Sequence, residues 1–279
     1  ALEIFRRNIQ KPHGMILVTG PTGSGKTTTL YAAMQELNTA DVNISTIEDP
    51  IEYRMERINQ TQVAPRIGLT FANGLRALVR QDPDIIMVGE IRDEETAGLA
   101  VNAALTGHLV LSTLHTNSAA GALPRLLDMK VEAFLVATTS NLLMAQRLVR
   151  KLCKECAVEG TMDEKMVESL RNLTDPERIL RVLQREGIVE KGESWGSVPT
   201  WHAKGCEKCI DGYSGRMGIY EMLEMTPEIQ KLITETVTAQ TLEDAAKEQQ
   251  SMVTMFEDGI IKSVQGVTSL EEVLRVAKE

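Results

Sequence analysis

The chain has 279 residues, 43% hydrophobic and 25% charged, which is ordinary for a globular protein and enough for one large or two modest domains with a proper core. Its net charge of −9 argues against a chain-wide electrostatic footprint for DNA or RNA, no apolar run reaches the ~18 residues of a membrane span, and no signal peptide is visible. Four cysteines without a secretory signal point to a reducing compartment, and an aromatic share of 4% leaves Leu, Ile, Val, Ala and Met to fill the core.

The first half alternates strand and helix patterns, the mark of an α/β sheet. Met15-Ile16-Leu17-Val18 reads as a buried strand (15–19) and is followed by Gly20-Pro21-Thr22-Gly23-Ser24-Gly25-Lys26-Thr27, which fits G-x-x-x-x-G-K-[ST] at every fixed position. A helix over 26–38 comes next, with Leu30, Ala33, Met34 and Leu37 at helical spacing. Strand, glycine loop and helix make a phosphate-binding loop, since glycines let successive backbone N–H groups face an anion at a helix N-terminus. Gly20 through Thr28 are therefore the candidate nucleotide-binding residues, with Lys26 placed for the β- and γ-phosphates and the Thr27 hydroxyl for Mg²⁺.

A strand over 43–48 leads into Thr46-Ile47-Glu48-Asp49-Pro50-Ile51-Glu52-Tyr53, a box with three carboxylates in five residues. Hydrolysis needs a base or a water-orienting group beside the terminal phosphate, and a carboxylate on a strand adjacent to the loop can serve. The pattern alone fits a solvent-facing acidic turn equally well. Helix 71–81, with Thr70 as its cap, precedes strand 85–89 in Asp84-Ile85-Ile86-Met87-Val88-Gly89-Glu90. Glu90, 64 residues after Lys26, is the candidate Mg²⁺ carboxylate on a strand beside the loop. Arg76, Arg80 and Arg92 flank this strand, either as cation fingers for developing phosphate charge or as ordinary surface ion-pair partners. Helix 94–105, capped by Asp93, leads to strand 109–113 within Gly107-His108-Leu109-Val110-Leu111-Ser112-Thr113-Leu114-His115-Thr116. His115 lies where it can sense a γ-phosphate, although a lone histidine is more often structural. Helices are expected at 118–128 and 131–147.

From about Cys153 the composition changes, and 157–205 reads as a solvated helical insertion with amphipathic pieces at Met162–Asn172 and Pro176–Glu186. Cys153-Lys-Glu-Cys156 and Cys206-Glu-Lys-Cys209 use all four cysteines. Two such pairs complete a tetrahedral thiolate site with no open position, which implies a structural Zn²⁺ and not a catalytic one; two disulfides or a redox pair are the alternatives, the first disfavoured by a reducing compartment. The 49 intervening residues exceed a usual zinc-ribbon gap, so the insert is expected to loop out as a lobe. A short strand at 218–223 and helices at 227–236, 241–250, 252–264 and 269–277 complete the chain, the last capped by Thr268 or Ser269. The expected domains are 1–150, a phosphate-loop core; 151–213, a tetracysteine lobe with its helical insert; and 214–279, a helical C-terminal region.

Together these residues resemble the secretion and pilus-assembly ATPase family, the motors of type II secretion systems and type IV pili. Four boxes match in order: Gly20–Thr29, Thr46–Tyr53, Leu78–Asp93 and Gly107–Asn117. The tail from Asp258-Gly259-Ile260-Ile261-Lys262 through Gly266-Val267-Thr268-Ser269-Leu270-Glu271-Glu272-Val273 is similar to the family ending. The resemblance implies a RecA-like P-loop core and a homo-hexameric ring using ATP, with hydrolysis driving protein export or pilus assembly. It implies a cytoplasmic location, peripheral to the inner membrane through platform and adaptor proteins. It carries Lys26 and Thr27 to phosphate and Mg²⁺, Glu90 to the Mg²⁺ shell, His115 to the γ-phosphate histidine, and Glu52, with Glu48 second, to the catalytic glutamate. Of the three arginines that flank the Glu90 strand, Arg76 and Arg80 are the candidate catalytic cations, by position and not by the resemblance. The tetracysteine site belongs to the assembly and secretion branch and is generally missing from the retraction branch. The family also has a domain before the core that contributes arginines to the nucleotide pocket; these residues do not include it, which matches a piece of a longer protein with weak activity in isolation. The insert is longer than the secretion branch leads one to expect, so the choice between secretion and pilus systems stays open.

Two readings of other classes compete. A nucleic-acid translocase on the same core is disfavoured by the acidic charge and the lack of a nucleic-acid motif. A nucleotide-gated scaffold without catalysis is disfavoured by the intact acidic and Mg²⁺ boxes.

Overall fold

The computed structural model describes residues 1–171, 174–235 and 238–277. In chain order it contains α1 (Leu2–Ile9), β1 (Gly14–Thr19), α2 (Lys26–Leu37), β2 (Ile44–Glu48), β3 (Ile58–Gln62), α3 (Phe71–Leu78), β4 (Ile85–Val88), α4 (Glu94–Leu105) and β5 (Leu109–Leu114). There follow α5 (Ala122–Asp128), α6 (Ala133–Thr139), β6 (Ser140–Leu152), β7 (Ala157–Thr161), α7 (Glu164–Arg171), α8 (Pro176–Arg185), β8 (Pro199–Ala203) and β9 (Tyr213–Glu224). The chain closes with α9 (Pro227–Thr234), α10 (Ala239–Gln249), α11 (Met255–Val264) and α12 (Leu270–Ala277). Two compact units result, Ala1–Gln146 with Glu221–Met252 and Arg147–Tyr220 with Val253–Glu279, so the division falls inside β6 and β9.

The first unit is built on the sheet β3-β2-β4-β5-β1-β6-β9, in which the first six strands pair in parallel. A parallel strand covered on both faces must be apolar along its whole length, and Met15, Ile16, Leu17 and Val18 are all 0% exposed. The sheet packs against small residues of α4 (Ala97, Ala100, Ala104), and the same apolar cluster continues through Val136 of α6 to Ile229 and Ile233 of α9 and Leu242 of α10. Each fully buried large aliphatic side chain stabilises the unit by roughly 1.5–3 kcal/mol relative to exposure. Helix starts are fixed as the sequence reading expects: Thr70 accepts from the Asn73 amide at 3.2 Å and Asp93 from the Thr96 amide at 2.8 Å.

One element is corrected. The helix expected over 131–147 ends at Thr139, and Ser140–Leu152 is strand β6, paired with β1 from Met15↔Ser140 to Thr19↔Ala145. Leu142, Leu143, Met144 and Ala145 are helix formers by propensity, but a strand buried on both faces shows no alternation, so tertiary pairing overrides the local preference. The structure adds α1 and the polar edge strand β3, which the sequence reading does not include.

In the second unit, the stretch 157–205 is more than a solvated helical insertion. Ala157–Thr161 and Pro199–Ala203 form an antiparallel pair, and Met162, Leu170, Ile179, Leu183, Val189 and Val198 are buried in a cluster with Ile260, Val264, Leu270 and Val273. The amphipathic helices are present as α7 and α8; Asn172, the expected end of the first, lies outside the described residues, as does Thr236 at the end of the helix expected over 227–236. Ser269, not Thr268, caps α12, accepting from the Glu272 amide at 3.2 Å. The Glu272 carboxylate is fully buried between Arg150 (2.7 Å) and Arg275 (2.8 Å). Burial opposes its charge, but hydrogen bonds from Arg275 and Arg150 prevail and hold its pKa at about 2.

Candidate functional site

Because β1, β2, β4 and β5 run in parallel, their carboxyl ends share one edge of the sheet, where ligands bind in such folds. The glycine loop leaves β1 there. Gly20, Gly23 and Gly25 have φ of 144°, 80° and 88°, a region that penalises any Cβ, and Gly25 is the residue before α2. A Cβ on Gly20 would run into the main-chain carbonyl of Gln146 and the Ser24 side chain. The Lys26 ammonium is nearly buried and donates to the carbonyls of Gly20 (2.8 Å) and Pro21 (3.1 Å), which uses two of its three N–H groups. Burial lowers the Lys26 pKa, and the Glu90 carboxylate works against that shift. Thr27 is half-buried and Thr28 exposed at the start of α2. Backbone amides, a helix N-terminus and one ammonium are the groups that cradle a polyphosphate.

Gln146 belongs to this loop and was not singled out from the sequence. Buried on β6, it donates through Nε2 to the Ser24 carbonyl at 2.8 Å and accepts through Oε1 from the Thr29 hydroxyl at 2.7 Å. Its only advance signal is one amide side chain inside an apolar run.

Glu90 follows β4 and is 8% exposed. Arg92 Nε lies 2.5 Å from its carboxylate and His115 Nε2, just past β5, lies 3.4 Å from the same oxygen. The strand carrying Glu90 is not beside the loop strand, as the sequence reading has it: β5 pairs in register with both β1 and β4 and lies between them. β2 lies a further strand away, so the acidic box is not on an adjacent strand either; it meets the loop's helix through Tyr31. Glu48 is 2% exposed and accepts from the hydroxyls of Tyr31 and Thr46 (2.5 Å) and from Gln60 Nε2 (3.2 Å). Glu52 is exposed on the loop beyond, with its backbone N–H donating to the Tyr31 hydroxyl at 3.3 Å. Thr27 and Glu90 offer the hydroxyl and carboxylate oxygens that suit a hard divalent cation.

Arg76 and Arg80 are both exposed. Arg76 pairs with Glu95 at 2.6 Å and lines a groove with Glu94, Asn102 and Lys130 that no residue of the glycine loop shares. Within this chain it is not gathered with Lys26 and Glu90.

In the second unit the four cysteines converge. Their sulfur atoms all lie within 4.8 Å of one another, with Cys153–Cys206 at 3.9 Å, Cys156–Cys209 at 3.7 Å and Cys206–Cys209 at 3.5 Å. A disulfide requires about 2.05 Å, and all four thiols are free. Tetrahedral thiolates with metal–sulfur bonds of about 2.3 Å stand ~3.8 Å apart, close to the three separations just given. Burial and hydrogen bonding to Cys209 push the Cys156 thiol up to about 12. At Cys209 burial acts the same way, but donors led by the Cys206 amide at 3.2 Å overcome it and lower the pKa. The donor set and spacing fit a four-coordinate metal ion.

Residues 1–275 match the family described as "Type II/IV secretion system protein". The chain belongs to that family. Among its relatives the type II secretion system ATPase E of Vibrio cholerae is 49% identical over 276 residues, covering 99% of this chain and 50% of that protein. The type IV pilus assembly ATPase PilB of Pseudomonas aeruginosa is 47% identical over 277 residues, covering 99% and 46%. The chain thus spans about half the length of these curated relatives. A crystal structure of the pilus retraction motor PilT with bound ADP superposes with a TM-score of 0.67 at 29% identity, covering 98% of this chain and 64% of that one. The family resemblance read from the four boxes is therefore borne out, as is the mixed α/β fold. Among the described residues of this type II/IV secretion family member, no helix is long and apolar enough to cross a membrane.

Proposed function

We propose that this chain is the ATP-hydrolysing core of a motor that powers protein export by type II secretion or type IV pilus assembly. The observation that carries the reading is the Gly20–Thr27 loop facing Glu90 and His115 along one sheet edge, in a chain nearly half identical to an ATPase of each machine. The loop amides and Lys26 bind the β- and γ-phosphates. Thr27 and Glu90 hold Mg²⁺, which when bound neutralises charge on the transferred phosphoryl group. Glu52 accepts the proton of the attacking water, since it is exposed while Glu48 is buried under three donors. His115, held against Glu90, reads the terminal phosphate. Exposed Arg76 and Arg80 act as fingers towards the nucleotide of a neighbouring copy in a homo-hexamer. Partners are the inner-membrane platform and cytoplasmic adaptor proteins of such a machine, which hold the protein at the cytoplasmic face, peripheral to the inner membrane. A multiple-turnover assay tests the reading. Sustained Mg²⁺-dependent phosphate release from ATP, not stimulated by DNA, is expected; no turnover in the assembled protein rejects it, and strong DNA stimulation transfers it to a nucleic-acid translocase.

The tetracysteine cluster holds a structural Zn²⁺, because four thiolates leave no open coordination position. Elemental analysis of protein purified without added metal should give about one zinc per chain, and Cys206→Ser should lose it. Zinc release should follow acidification, since protons and metal compete for the same sulfurs. Metal-free protein with an unchanged unfolding temperature speaks against a structural role.

A further inference from the structure

The loop that carries Glu52 is held by side chains. Residues 49–57 lie outside any helix or strand. The backbone N–H groups of Ile51, Glu52 and Met55 donate to Gln62 Oε1 (3.4 Å), the Tyr31 hydroxyl (3.3 Å) and Gln60 Oε1 (2.8 Å). The carbonyl of Tyr53 accepts from Gln60 Nε2 at 3.1 Å. The Tyr53 ring meets the Tyr31 ring edge-on at 4.7 Å between centroids.

Tyr31 is the centre of this arrangement. It is 0% exposed and lies on α2, the helix that begins at Lys26. Its hydroxyl donates to Glu48 and accepts from the Glu52 amide and from Gln60 Nε2 at 3.3 Å. Burial first, and the hydrogen bond to Glu48 second, raise the phenol's pKa far above working pH, so it stays a donor. The carboxylate of Glu48 thereby fixes the hydroxyl, and the hydroxyl orients the main chain at Glu52.

We propose that Tyr31 is a positioning residue for the proposed hydrolysis, joining the nucleotide-loop helix to the loop of the base Glu52 through Glu48 and Gln60. This rests on the ATPase reading above. It gives Glu48 a role distinct from the base and gives the acidic box a mechanical tie to the helix whose N-terminus faces the phosphates.

Tyr31→Phe removes one oxygen and keeps the ring contact. In the assembled protein it should lower kcat about 10- to 100-fold, the scale of a misplacement near 1 Å, with KM for ATP and nucleotide affinity unchanged. It should add little to the loss in Glu52→Gln, because both act on one step. Independently of turnover, hydrogen–deuterium exchange across 50–56 should quicken in Tyr31→Phe without quickening in β1 or β5. Wild-type kcat, a parallel loss of affinity, full additivity with Glu52→Gln, or unchanged exchange each overturns the proposal. If the wild type hydrolyses no ATP, the ATPase reading fails and the exchange measurement still decides whether Tyr31 holds the loop. Should Tyr31→Phe fold poorly, Gln60→Met, which removes the other clamp, is expected to show the same exchange and kcat pattern, and wild-type behaviour there overturns it equally.

Discussion

Lys26→Ala is expected to abolish useful turnover and weaken ATP binding together. The ammonium is nearly buried, burial lowers its pKa and the Glu90 carboxylate opposes that shift, as a bound phosphate beside it would. A charged hydrogen bond to phosphate contributes about 1.5–3 kcal/mol, which corresponds to a loss of affinity of roughly 10- to 150-fold. Removal of one preorganised donor from a developing charge lowers kcat by about 10²–10³. Calorimetry and phosphate release measure the two effects. The carbonyls of Gly20 and Pro21 lose their shared donor in this variant, so the unfolding temperature must be compared as well. Wild-type hydrolysis in Lys26→Ala would reject the loop as the nucleotide site.

Glu52→Gln should separate binding from chemistry. The side chain is exposed, and the side chains of Tyr31 and Gln60 hold the loop by its backbone and not by the Glu52 carboxylate, so the substitution leaves the fold untouched. Loss of a general base costs about 10²–10⁴ in rate, while ATP affinity and the unfolding temperature stay at wild-type values. Glu48→Gln should behave differently, losing stability as well as rate, because its carboxylate accepts from Tyr31, Thr46 and Gln60 inside the unit. Near-normal turnover in Glu52→Gln, measured by phosphate release, would remove Glu52 from the mechanism.

What the sequence disclosed depended on whether a feature was local. The glycine loop was legible because its φ requirements, its lysine and its flanking strand and helix are contiguous, and the caps at Thr70 and Asp93 were legible for the same reason. β6 was misread because its neighbours, not its own residues, make it a strand. β7 and β8 lie far apart in sequence, and the intervening helices bury their apolar faces in a cluster shared with Ile260, Val264, Leu270 and Val273, none of which is local to either strand. Among site residues, the sequence could order Glu52 before Glu48 only through family resemblance; what distinguishes them physically is burial and donor number, which belong to the folded state. Tyr31 and Gln146 carried no motif, since each acts by reaching a backbone more than fifteen residues away.

The place of β5 has an electrostatic consequence. Strands in a sheet lie about 4.8 Å apart, so the order β1-β5-β4 sets the carboxyl ends of β1 and β4, from which the Lys26 loop and Glu90 follow, two such steps or ~10 Å apart. Direct neighbours would let ammonium and carboxylate neutralise one another and close the gap. With a spacer strand between them, the ammonium and the carboxylate are carried by strands that do not touch, and His115, just past the spacer strand, stands 3.4 Å from the Glu90 carboxylate.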